Sequence, residues 1–174
     1  MKKIAIFFGP LDGAVHKVAT KIEQLIGTDH VALVPVKDAR AADLEGYDKM
    51  IFGISTVGKE TWDAAYNNAD WARFLPEISK ARYEGKTIAI YGLGDHITYA
   101  ATFVDHMGVL AKELVKNGAV LSGAVSTDGY TFDHSEAIVD GKFVGLPLDE
   151  DFEPELTDIR IKQWIEQLKP VFEF

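Results

Sequence analysis

The sequence predicts a doubly wound α/β fold: a five-stranded parallel sheet with helices on both faces and a fifth strand interrupted by a long insertion. Three observations predict it. Five short apolar runs recur along the chain, helical patterns separate them, and residues 126–151 suit neither kind of element.

The apolar runs lie at 3–8, 31–36, 49–54, 87–92 and 119–125. Those at 3–8, 49–54 and 87–92 do not alternate apolar with polar, as expected of strands buried on both faces of a parallel sheet. Residues 14–26 place Val15, Val18, Ile22 and Leu25 at helical spacing. Residues 101–117 do the same with Phe103, Met107, Leu110 and Leu114, and Asn117-Gly118 supplies a C-cap. The last helix is expected to run from an N-cap at about Thr157 to near Pro170, carrying Ile161, Trp164, Ile165 and Leu168 inward. Asp-Gly turn signals at 128–129 and 140–141 mark the stretch 126–151 as a small β excursion. It interrupts strand five, which resumes at 143–148.

At 174 residues, with 47% hydrophobic and 26% charged, the chain suits one soluble domain, 1–174, with a substantial core. The opening "MKKIAIFFGP" has too short an apolar run for a signal peptide and reads as a first strand. There is no Cys, which excludes disulfides and thiolate metal sites and fits a cytoplasmic protein. The net charge of −9, with no basic patch, argues against nucleic acid, and no segment is long and apolar enough to span a membrane. Six of the acids fall in "DEDFEPELTD" (149–158). That stretch reads as a solvated loop and helix start, or as a negative surface that steers basic partners.

Right-handed crossovers bring the loops 9–14, 55–67 and 93–100 to one end of the sheet, where folds of this kind bind ligands. The first follows the strand–glycine turn–helix order of a phosphate cradle. Its residues "GPLDGAV" nevertheless contain no Ser or Thr, and an acid, Asp12, stands near the centre.

At this point the sequence resembles a long-chain flavodoxin, with its closest likeness to the nitrogen-fixation branch of that family. The matching residues are "IAIFFG" in the first strand, "FLPEI" at 74–78, "YGLGD" with Tyr99 at 91–99, and the insertion "STDGYTFDHSEAIVDGKFVGLPLDED". The resemblance implies a monomeric carrier of single electrons on non-covalently bound FMN, docking on redox proteins with basic surfaces. Such a carrier needs no catalytic residue of its own, because the redox chemistry belongs to the flavin.

The resemblance also implies the site. The phosphate loop is Pro10, Leu11, Asp12, Gly13, Ala14 and Val15; the inner wall is Thr56, Val57 and Gly58; the outer wall is Leu93, Gly94, Asp95 and Tyr99, with Asp151 beyond the resumed strand. Tyr99 would stack on the ring. Gly58 would supply the permissive peptide beside it. Four departures stand out. Val57 is smaller than the family's usual Trp or Leu, and Trp62 or Tyr66 either replaces that wall or packs over the loop. His96 and Thr98 stand where Gln and Gly are usual; His96 reads as an exposed loop histidine without a role, and Thr98 as a residue that resists positive φ. The family's three phosphate-loop hydroxyls are replaced by Pro10, Asp12 and Val15, each loss worth roughly 1.5–3 kcal/mol. Asp12 either faces solvent and caps the helix at 14–15 or repels the phosphate. Lys17 and His16 are the candidate counter-charges. The alternative is therefore a divergent member that binds or acts on a planar ligand without phosphate, such as riboflavin or a tetrapyrrole.

Overall fold

The structure is a computed structural model that describes residues 2–56 and 69–174. Its central sheet is parallel, in the order β2-β1-β3-β4-β5: β1 (Ile4–Phe8), β2 (Val31–Pro35), β3 (Lys49–Ser55), β4 (Thr87–Leu93) and β5 (Val120–Leu121). β1, β3 and β4 occupy the middle, and every residue of β1 is buried, which explains their unbroken apolar character. The helices are α1 (Ala14–Ile26), α2 (Ala41–Glu45), α3 (Ala69–Ile78), α4 (Asp105–Lys116) and α5 (Pro154–Phe172).

The interrupted fifth strand is realised along β4. β5 pairs with Thr87 and Ile88, and β9 (Leu146–Leu148) pairs with Tyr91, Gly92 and Leu93 on the same outer edge. Between them β6 (Val125–Ser126), β7 (Ile138–Val139) and β8 (Lys142–Phe143) form a small antiparallel sheet. The strand resumes at 146 rather than 143 because Lys142 and Phe143 are spent on that excursion. Its first half is shorter than expected: only Val120 and Leu121 pair, with Gly123 at φ 84 turning the chain away behind them.

Two apolar layers enclose the sheet. Phe7, Phe52, Trp71, Phe74, Met107 and Leu110 pack on the α3/α4 side, and Ile6, Phe8, Val18, Ile22, Trp164 and Leu168 on the α1/α5 side. α4 closes at Asn117 as expected, with Gly118 N–H on Val115 O and Ala119 N–H on Leu114 O, the paired bonds of a Schellman motif. Two sequence expectations for the helices need correction. Leu25 is 44% exposed and Ile26 takes the inner position, because a 3.6-residue period drifts along a 13-residue helix. α5 begins at Pro154, whose missing N–H suits a first helical position, so Thr157 is not the N-cap. Thr157 is buried instead, and its hydroxyl has no hydrogen-bond partner among the described residues. α5 also passes Pro170 to Phe172, where the Lys49 ammonium donates to Phe172 O at 2.8 Å.

Candidate functional site

The carboxyl ends of β1, β3, β4 and β9 converge on a cleft of about 230 Å³. It is lined by Pro10, Gly13, Ala14 and Val15 from the first loop, Ser55 and Thr56 after β3, Leu93, Gly94, Asp95 and Tyr99 after β4, and Glu150 and Asp151 after β9. Ten of the predicted site residues thus meet at one place. Leu11 packs instead against the α1/α5 layer, and Asp12 points to solvent. Val57, Gly58, Trp62 and Tyr66 lie outside the described residues. Ser55 and Glu150 also line the cleft and were missed as site residues; Ser55 begins the loop 55–67, and each is the immediate neighbour of a predicted residue. A larger apolar groove of about 690 Å³ between α4 and the insertion is remote from these loops.

The first loop corrects the expected role of Asp12. Its backbone is left-handed at φ 63, its side chain is 93% exposed, and Gly13 follows as the N-cap of α1. Among the described residues no side chain caps that helix, so Asp12 does not occupy the amides of its first turn. Its own N–H donates to His16 Nδ1 at 3.1 Å, while the His16 ring stacks on Phe8 at 4.7 Å. The turn is thereby held from below and its carboxylate is thrown outward. The first-turn amides have no intrahelical partner and the positive end of the helix dipole lies behind them, while Gly13, Ala14 and Val15 line the cleft. Tyr91 anchors this helix end to the sheet: its hydroxyl donates to Val15 O at 2.8 Å, and complete burial holds that phenol well above the ordinary range. Lys17 is exposed and does not line the cleft.

A charge at an exposed side chain is weakly felt. Asp12→Asn keeps a residue that tolerates left-handed backbone and removes that charge. It should raise affinity for FMN only about two- to fivefold and leave riboflavin affinity unchanged. Parallel fluorescence titrations check this; an equal gain for both ligands contradicts it.

The other loops are pinned from within. Thr56 N–H donates to Leu93 O at 2.8 Å, and Thr56 Oγ1 accepts the His106 N–H in the first turn of α4 at 3.0 Å. Asp95 Oδ1 accepts the N–H groups of Ile97 and Thr98 at 3.0 and 2.7 Å. This carboxylate folds the loop, so Thr98 sits without positive φ and the expected conflict with a missing glycine does not arise. Tyr99 is 38% exposed at the cleft edge.

The acidic stretch 149–158 is not simply a solvated loop, and His96 is not an exposed one. Asp149 is 1% exposed, and the His96 side chain is 11% exposed with Nδ1 in a short hydrogen bond to Asp149 Oδ2. Asp149 also accepts the N–H groups of His96, Asp151 and Phe152 at 3.0, 2.9 and 2.8 Å. Burial pushes the Asp149 carboxyl up, but these four bonds outweigh it and hold it below the usual range. Asp151 is raised by partial burial and then by the charges of Asp149 and Asp95, so this wall of the cleft is negative.

Comparison with known proteins fits this geometry. The flavodoxin family model matches residues 6–164. A flavodoxin of Nostoc sp. is 40% identical over 171 residues, covering 98% of each chain. Azotobacter vinelandii flavodoxin 1 is 38% identical over 176 residues, covering 99% of this chain and 98% of its own. Among solved structures, Fusobacterium nucleatum flavodoxin bound to flavin mononucleotide superposes with a TM-score of 0.87 at 29% identity, covering 99% of both chains. The chain belongs to the flavodoxin family.

Proposed function

We propose that this flavodoxin binds FMN in the cleft and carries single electrons between redox proteins. The observation that supports it most is the first turn of α1, uncapped among the described residues, which offers backbone N–H donors and a positive dipole end where the family binds phosphate. The same observation disfavours a planar ligand without phosphate, for which those donors would have no use.

Bound FMN supplies reversible one-electron chemistry at its ring system. The chain holds and orients it. The amides of Gly13, Ala14 and Val15 take the place of the missing hydroxyls at the phosphate. Tyr99 offers its ring face to the flavin, and Asp95 and Asp151 place negative charge along that wall. Negative charge beside the ring disfavours adding an electron, which lowers the potential at which the protein gives one up. The roles of Pro10, Thr56, Leu93 and Gly94 are to shape the walls; Val57 and Gly58 are assigned the inner face by position in the sequence. Docking on basic partner surfaces follows from the net charge of −9, and the chain acts as one monomeric domain. No helix among the described residues is long and apolar enough to cross a membrane.

Purified protein is expected to be yellow and to release FMN on denaturation. Reductive titration should pass through two one-electron stages. A colourless protein that takes up no FMN when supplied with it would sink the proposal.

A further inference from the structure

The two loops that carry Asp95 and Tyr99 on one side and Glu150 and Asp151 on the other follow neighbouring strands, β4 and β9. The backbone joins them by one bond, Gly94 N–H to Leu148 O at 2.9 Å. Beyond that, His96 makes the connection. Both its N–H and its ring Nδ1 bond the same oxygen, Asp149 Oδ2, while the other oxygen of Asp149 takes the N–H groups of Asp151 and Phe152. Nδ1 also lies 3.3 Å from Glu153 Oε1, and Arg160 holds the other oxygen of Glu153 at 3.1 Å. With carboxylates on that side, Nδ1 carries a proton and donates. The ring is fixed edge-on between Phe103 and Phe152, at 6.4 and 6.3 Å. Arg160 in turn lies over the Tyr130 ring at 4.2 Å, so the chain of contacts ends on the β excursion.

A buried carboxylate shared between two loops fixes their spacing only while both sets of donors are present. Nδ1–H is the one side-chain donor that reaches Asp149 from the β4 loop among the described residues. We propose that His96 is a positioning residue that staples the β4 loop to the β9 loop and so presets the two flavin-facing walls before the ligand arrives. This inference rests on the flavin-binding reading of the cleft. It needs no role for His96 in touching the flavin.

Two variants test it. His96→Leu keeps bulk and removes the ring donor; His96→Gln keeps an N–H donor and guards against loss of the fold. In flavin-free protein, hydrogen exchange at the Asp151 and Phe152 amides should speed up about tenfold or more in His96→Leu and within about threefold in His96→Gln. FMN binding should weaken by comparable factors, since charge-assisted bonds of this kind are each worth about tenfold or more. Unchanged exchange in His96→Leu overturns the staple. Faster exchange with unchanged FMN affinity overturns its positioning role, and so does a His96→Gln variant as impaired as His96→Leu. If the wild type binds no FMN, the flavin reading fails, while the exchange comparison still decides the staple.

Discussion

Asp149→Ala is expected to destabilise the protein by about 3–4 kcal/mol at pH 7 and to loosen both walls of the cleft at once. The side chain is 1% exposed and accepts four hydrogen bonds from two loops. Its removal strands the His96 ring beside Glu153 alone and frees the Asp151 and Phe152 amides, whose reach to water limits the loss. Urea denaturation should show a lower midpoint with little change in slope. The carboxyl of Asp149 is held below its ordinary value of 3.8, so the sign of its pH dependence is fixed. Its stabilisation is fully present above that value and is lost as pH falls through the lowered one. Asp149→Asn should therefore be less stable than wild type at pH 7, with the gap narrowing as pH falls from about 3.8 through the lowered value. A gap that stays constant across that window would show that the charge of Asp149 contributes nothing.

Gly53→Ala is expected to cost about 2–4 kcal/mol. A Cβ at Gly53 would stand 2.1 Å from the ring and hydroxyl of Tyr91, its register partner across β3 and β4. Tyr91 is fully buried, and the absent side chain at Gly53 leaves the space through which its hydroxyl reaches Val15 O. Displacing the ring releases the first turn of α1, so FMN affinity should fall further than riboflavin affinity. The pair should also be strongly non-additive. Tyr91→Leu vacates the space, and the double variant Gly53→Ala/Tyr91→Leu should be more stable than the sum of the single losses predicts. Thermal melts of the four proteins check this. Additive losses would show that the two positions do not compete for the same volume.

Gly53 and Tyr91 also show how far the sequence could be read. The unbroken apolar runs of β1, β3 and β4 announced a sheet covered on both faces, because burial on two sides leaves no polar positions to alternate. The Asp-Gly turns at 128–129 and 140–141 announced the excursion that splits the fifth strand, and β9 does resume beside β4. Loop positions then placed the cleft, since crossover handedness gathers the same strand ends whatever their side chains. What could not be read was the burial of polar groups. Asp149 stands in a run of six acids, and nothing local distinguishes the one with four donors from its exposed neighbours. His96 stands in a loop sequence that looks solvent-facing until β9 brings Asp149 alongside. Asp12 looked like a helix cap by type and spacing; its left-handed backbone turned it outward and left Gly13 as the cap. These are long-range or backbone facts, and propensity carries neither. Thr157 was misplaced for a simpler reason: Pro154 also suits a helix start, and it lies three residues earlier.

The most direct test of the account is a side-by-side titration of flavin-free protein with FMN and riboflavin at fixed pH and ionic strength. Both ligands share the ring, so the ratio of dissociation constants isolates the phosphate. The open amides at the start of α1 predict that FMN binds at least tenfold more tightly than riboflavin, even though Pro10, Asp12 and Val15 supply no hydroxyls. Equal affinities, or a preference for riboflavin, would show that this helix end does not hold a phosphate.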